Sequence, residues 1–185
     1  MSGDTEPRPA GLTPWQIDPA HTIVELASKY MLFTTVKGRF TNVKGTILVD
    51  EENPARSSVE IETDATSVWT GQERRDAHLR SADFLDVEHY PTITFKSTRV
   101  EPIGQDRLRV IGDLTIRGTT REVTLDTKVH GRGKNPWGQT MAGFTAETTV
   151  NRKDYGLEWN VEIESGWLVG DTVQILLEVV AVKQE

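Results

Sequence analysis

The sequence predicts an all-β protein, an antiparallel barrel or sandwich built as a single domain. Apolar and polar side chains alternate in at least six segments, which is the period of a strand with two different faces. Turn residues such as Asn53-Pro54 and Gly170-Asp171 separate these segments at hairpin-length spacing. The chain has 185 residues, the usual size of one domain.

The predicted strands follow one another from about Trp15 onward. They include HTIVELASKY, KGTILVDE, SSVEIETD, TITFKSTRV, RLRVIGDLTIRG, REVTLDTKVHG and TVQILLEVVAV. In MAGFTAETTV either face of the strand could point inward, so alternation does not by itself decide whether Phe144 lies in the interior. Alternation predicts that the interior is lined by Val24, Leu26, Tyr30, Ile61, Ile93, Phe95, Val110, Leu114, Val123, Leu125, Phe144, Val173, Ile175 and Leu177.

The last predicted strand is apolar on both faces. Besides its inward residues it carries Leu176, Val180 and Val182, which is more than a solvated strand face needs. A contiguous apolar face of this kind indicates a partner subunit or a covering segment.

One segment, RRDAHLRSADFLDVEHYP at residues 74–91, interrupts the alternation. Thr70 and Glu73 have the spacing of a capping box, which predicts a helix over residues 72–81 with Ala77 and Leu79 inward. Pro91 then forces its predecessor toward extended geometry, so the chain returns to a strand.

The same segment holds the residues that could carry chemistry. An enzyme, either a hydrolase or an isomerase, could use Asp76, His78 and His89 as acid and base groups. A second interpretation is that Arg75, Asp76 and His78 only fix the segment through ion pairs and hydrogen bonds. The histidines lack the local spacing of a zinc site, so we expect neither a metal nor another cofactor.

Composition excludes several classes of function. The net charge of −7 argues against binding to a nucleic-acid backbone, and the lack of cysteine excludes thiol chemistry and disulfides.

Residues 1–13 are predicted to form a disordered polar tail and residues 14–185 the domain. Because the opening residues contain no apolar run, we expect a cytoplasmic location. Arg132 and Lys134, in GRGKNPWG, could bind an anion or simply flank a hairpin.

Several strings occur in an order that resembles one known family. They are WQIDPAHTIVEL, VKGRF, RRDAHLRSADFLDVEHYPTITFKST, GDLTIRGTTREVTL, NRKDYGL and VGDTVQILLEVVAV. Between Trp15 and Val182 the chain is similar to the YceI-like family of lipid-binding proteins, often called polyisoprenoid-binding proteins. Members usually carry Lys-His where this chain has Lys29-Tyr30. A phenol therefore replaces an imidazole, and we expect the preferred ligand head group to differ from that of other members.

The resemblance implies an extended antiparallel lipocalin-like β-barrel with a short helical insertion between strands near the mouth. It also implies a homodimer and a non-catalytic carrier that holds a long apolar chain: a polyisoprenoid, a quinone tail or a fatty-acid-like lipid. Leu79 and Phe84, on the inserted segment, would join the ligand-binding residues, and Arg152 in NRKDYGL would fix a turn. Alternation alone leaves open whether the barrel is hollow or filled by its own side chains.

Overall fold

The computed structural model describes residues 10–185, so most of the predicted tail at residues 1–13 lies outside the described residues. Strand β1 already begins at Thr13. Short 3₁₀ turns lie at Pro54–Arg56, Ala65–Ser67 and Arg152–Tyr155. The strands and the helix are β1 (Thr13–Ile17), β2 (Ile23–Tyr30), β3 (Thr34–Phe40), β4 (Val43–Val49), β5 (Ser58–Asp64), β6 (Val68–Trp69), α1 (Glu73–Arg80), β7 (Thr92–Pro102), β8 (Arg107–Ile116), β9 (Thr119–Lys134), β10 (Thr140–Asn151), β11 (Glu162–Ile163), β12 (Gly166–Trp167) and β13 (Val169–Lys183).

Eight antiparallel strands close into a ring, which confirms the predicted barrel. Their order is β1-β4-β5-β7-β8-β9-β10-β13, and β13 returns to pair with β1. The closing ladder is short and joins Trp15 to Lys183 and Ile17 to Ala181. Closure leaves these eight strands with a continuous inner face, so their inward side chains must face one another.

The long strand β13 has two partners along one edge. Its C-terminal end pairs with β1, whereas its earlier part pairs with β2 from Val169↔Tyr30 to Glu178↔Ile23. Strands β3 and β6 continue outward from β2. The wall at this end of the barrel is therefore extended by a second set of strands, and α1 follows directly after β6.

The helical insertion is confirmed, but its predicted cap is wrong. Helix α1 spans Glu73–Arg80, and the side chain of Gln72 caps it by accepting a hydrogen bond from the Arg75 backbone N–H at 2.7 Å. The hydroxyl of Thr70 instead donates to Asp76, which is only 4 % exposed. This bond turns Asp76 inward and leaves Ala77 exposed, contrary to the prediction for Ala77.

The β8–β9 turn holds the segment that follows α1. Arg117 and Gly118 have φ angles of 48° and 72°, the left-handed pair that a two-residue hairpin needs. The Arg117 guanidinium donates to the carbonyl oxygen of Phe84 at 2.9 Å. A Cβ on Gly118 would lie 2.6 Å from the Tyr90 ring, so glycine also allows Tyr90 to pack on the turn.

The interior is filled at the β1 end of the barrel. Trp15 is 1 % exposed and packs with Ala142 and Ala181. A larger apolar cluster continues from there toward the end that carries α1. No helix among residues 10–185 has the length and apolar character needed to cross a membrane.

Close packing between β7 and β8 predicts a strong effect at Gly112. A Cβ at this position would lie 2.7 Å from Cζ of Phe95 and would also meet the Lys96 carbonyl oxygen. We expect Gly112→Ala to lower the free energy of unfolding by about 1–3 kcal/mol, because the wall cannot move without disturbing the core. Urea denaturation measures this effect.

Gly133→Ala is the matched control, since a Cβ on Gly133 meets no atom within 4 Å. It should leave the stability unchanged or raise it slightly. Equal stability of the two variants would contradict the packing described for β7 and β8.

Candidate functional site

A cavity of about 510 Å³ occupies the half of the barrel nearest α1. This volume lies within the roughly 300–1,000 Å³ of small-molecule sites. The predicted interior residues that line it are Val24, Leu26, Tyr30, Ile61, Leu79, Phe84, Ile93, Phe95, Leu114, Val123, Leu125, Val173, Ile175 and Leu177.

Two of the predicted interior residues do not line the cavity. Val110 is buried in the main apolar cluster, and Phe144 packs where this cluster meets the one around Trp15. Phe144 pairs with Val179, further along β13 than the cavity residue Leu177. Alternation identifies the inward face correctly for both residues, but it does not give their depth in the barrel.

Other lining residues were missed by the sequence analysis. On β3, Val36 and Phe40 alternate and could have been found from their spacing. Leu157, Trp159 and Leu168 lie in a stretch without regular alternation, and only folding brings them to the cavity. The full set of missed apolar lining residues is Ala27, Val36, Phe40, Val68, Ile116, Val150, Tyr155, Leu157, Trp159, Leu168 and Val169.

The cavity opens between α1 and the β2–β3 hairpin. Lys29, Tyr30 and Arg74 are the exposed residues among those that line it. All three lie at one end of the barrel, where Tyr30 pairs with Val169 at the start of β13. We call this end the mouth.

Arg152 fixes the irregular stretch beside the mouth. Its guanidinium is 4 % exposed and donates to the carbonyl oxygens of Leu157, Trp159 and Gly170 at 2.7–2.9 Å. Burial lowers the pKa of Arg152. These bonds match the turn-fixing role predicted for Arg152, and they hold Leu157 and Trp159 against the cavity.

The residues after α1 are fixed over the cavity. His78 Nε2 lies 2.8 Å from Asp83 Oδ2, and the His78 ring makes edge contacts with Phe84 and Trp159 at centroid distances of 5.0 and 4.5 Å. Phe84 is therefore held both by the His78 ring and by the hydrogen bond that Arg117 donates to its carbonyl oxygen. The segment thus helps to cover an apolar space.

The three residues of the catalytic alternative each have a separate partner. Asp76 accepts hydrogen bonds from Thr70, His78 pairs with Asp83, and His89 pairs with Asp86. The hydrogen bond to Asp86 raises the pKa of the exposed His89. Of these three residues only His78 lines the cavity, and residues 10–185 contain no cluster of His, Asp and Glu suited to a metal ion.

The predicted anion candidates, Arg132 and Lys134, lie at the far end of the barrel. Arg132 donates to Glu51 at 2.7 Å, and its guanidinium carbon lies 5.2 Å from the centroid of the Trp15 ring. Lys134 is exposed at the end of β9, where it pairs with Thr140 of β10. Neither side chain lines the cavity.

Comparison with known proteins decides the family. A model of the YceI-like domain matches residues 15–181, which is most of the chain. The chain belongs to the YceI-like family. Protein YceI of Escherichia coli O157:H7 is 38 % identical over 165 residues, covering 89 % of this chain and 83 % of that protein.

Two solved structures share the fold. BcnA from Burkholderia cenocepacia superposes with a TM-score of 0.79 at 25 % identity, covering 89 % of this chain and 98 % of that one. A polyisoprenoid-binding domain from Saccharophagus degradans, implicated in plant cell wall breakdown, has a TM-score of 0.64 at 15 % identity, with 94 % and 99 % covered. At that identity the second likeness shows the fold alone.

Removing the Arg152 guanidinium should destabilise the YceI-like domain strongly. In Arg152→Met the carbonyl oxygens of Leu157, Trp159 and Gly170 lose a charged donor while they stay near the core. We expect a loss of about 3 kcal/mol or more, since a single hydrogen bond to a charged group is worth about 1.5–3 kcal/mol. Chemical denaturation gives the loss, and hydrogen exchange at residues 157–170 locates it.

Lys153→Met is the matched control, because Lys153 is exposed and its ion pair with Asp171 at 3.3 Å is a surface contact. It should cost less than about 1 kcal/mol. Similar losses for the two variants would contradict the role given to Arg152.

Proposed function

We propose that this protein is a non-catalytic carrier for an amphiphile with a long apolar chain, such as a polyisoprenoid, a quinone tail or a fatty acyl chain. The observation that carries the proposal is the apolar cavity in the mouth half of the barrel. Most of its strand residues are aliphatic or aromatic, from Val24 on β2 to Leu177 on β13, and a few, such as Thr63 and Thr148, carry hydroxyl groups.

The size of the hydrophobic effect explains why the chain must be long. Each buried CH₂ contributes about 0.8 kcal/mol. Association costs roughly 4–15 kcal/mol in lost translational and rotational freedom. A chain of about 20 methylenes contributes roughly 16 kcal/mol and offsets that cost, whereas a chain of a few carbons does not. Binding should therefore depend on chain length more than on polar detail.

The separate partners of Asp76, His78 and His89 support the non-catalytic part of the proposal. General acid and base catalysis needs such groups to reach one substrate together. Asp76 is buried against Thr70, and His89 lies outside the cavity. The family membership and the polyisoprenoid-binding name of the Saccharophagus domain agree with a carrier, and the apolar cavity supports a ligand with a long apolar chain.

A homodimer in the cytoplasm is the remaining part of the proposal. Leu176, Val180 and Val182 alternate with the inward residues of β13, and each is only half-buried in the monomer. An apolar strip of this kind is suited to a second copy.

Sedimentation equilibrium should show a dimer at micromolar protein concentration. A monomer at that concentration would contradict the proposed homodimer.

Filling the cavity should abolish binding without unfolding the protein. In Ile175→Trp the indole would occupy the cavity, and we expect the affinity for a C16–C20 acyl or prenyl probe to fall at least tenfold. Fluorescent-probe displacement measures the affinity, and native mass spectrometry counts the bound chains.

Gln174→Trp is the matched control, because Gln174 is the adjacent exposed residue on the same strand. It adds the same side chain to the outer face and should bind as the wild type does. Unchanged binding in a folded Ile175→Trp variant would place the ligand elsewhere and would overturn the proposal.

A further inference from the structure

The charged residues of the cavity wall all have one sign. Arg74, Arg75, Arg152 and Lys29 line the cavity, and none of its lining residues is Asp or Glu. The complete sequence has the opposite bias, with 28 acidic and 21 basic residues. The wall therefore departs from the composition of the chain in the direction that attracts an anion.

Arg74 is the cation most available to a ligand. It lies in the first turn of α1, is exposed and lines the mouth. Among residues 10–185 its side chain has no hydrogen-bond partner and no carboxylate within ion-pair distance. Its neighbour Glu73 is likewise exposed but does not line the cavity.

Arg75 is held beside Arg74 by two hydrogen bonds. Its Nε donates to the Thr70 hydroxyl at 2.7 Å, and its Nη2 donates to the Thr70 carbonyl oxygen at 3.1 Å. The Thr70 hydroxyl in turn donates to Asp76, so this carboxylate stabilises Arg75 through Thr70. The remaining N–H groups of the fixed guanidinium are suited to a planar or tetrahedral oxyanion.

The other two cations have a smaller role. Arg152 is surrounded by carbonyl oxygens, and its nearest carboxylate, Asp171, lies 3.9 Å away and is shared with Lys153. Its charge adds to the positive potential of the wall, although its donors are already used. Lys29 donates to the Thr35 hydroxyl at 2.7 Å, on the neighbouring strand.

We infer that the ligand is an anionic amphiphile whose carboxylate or phosphate head group is bound at the mouth by Arg74 and Arg75. This inference rests on the proposed function, because the apolar chain must lie in the cavity for the head group to reach α1. Phe84 and Trp159 cover part of the cavity beside α1 and exclude some solvent there, so a guanidinium–oxyanion contact is stronger than on an open surface.

Probe pairs with equal chains test the head group. Oleic acid is compared with oleamide at pH 8, and farnesyl phosphate with farnesol, each below its critical micelle concentration and measured by titration calorimetry. We expect the wild type to bind the anionic member of at least one pair about tenfold or more tightly than the neutral member. Preference for oleate identifies a carboxylate ligand, and preference for farnesyl phosphate identifies a phosphate.

Substitution of Arg74 tests its role. Arg74→Gln should remove most of the preference for the anion while leaving the affinity for the neutral probe unchanged, and Arg74→Lys should keep part of the preference. Arg109→Gln, at an exposed position on β8 away from the cavity, is the matched control and should bind as the wild type does.

Two outcomes would overturn the inference. One is equal affinity for the two members of both pairs in the wild type, and the other is an equal loss for both members in Arg74→Gln. In either case the chain still binds, so the carrier proposal survives. Failure of all four probes to bind would overturn the carrier proposal and this inference together.

Discussion

The closure of eight strands into one ring is the constraint on which the rest of the structure depends. Once β13 pairs with β1, the width of the interior is set by the backbone, and side chains alone decide whether it is full. At the β1 end Trp15, Phe144 and their neighbours fill it. At the other end the inward side chains leave the cavity between them.

The segments at the mouth are fixed by hydrogen bonds to their backbone carbonyl groups. Arg152 binds three carbonyl oxygens of one segment, and Arg117 binds the Phe84 carbonyl of the other. His78 lies between them, in contact with both Phe84 and Trp159. Polar bonds thus hold apolar side chains over an apolar space, and this prevents the mouth from collapsing into the barrel.

Alternation and turn spacing predicted an antiparallel barrel or sandwich and part of the cavity wall, because the period of a strand determines which residues face inward. The resemblance to the YceI-like family then selected the barrel. Alternation could not give depth, so Val110 and Phe144 were assigned to the wall although they lie in the filled interior. The capping box failed because a buried partner, Asp76, binds the Thr70 hydroxyl instead. Trp159 was missed because it lies outside the alternating strands, where the Arg152 bond to its carbonyl and the His78 ring place it.

An experimental structure of the protein, purified without detergent and then incubated with a C20 prenyl or acyl probe, tests the central claim most directly. We expect continuous elongated density between β9 and β13, in contact with Leu125 and Ile175, with its polar end beside α1. Density confined to the outer surface, or an interior closed by its own side chains, would contradict it.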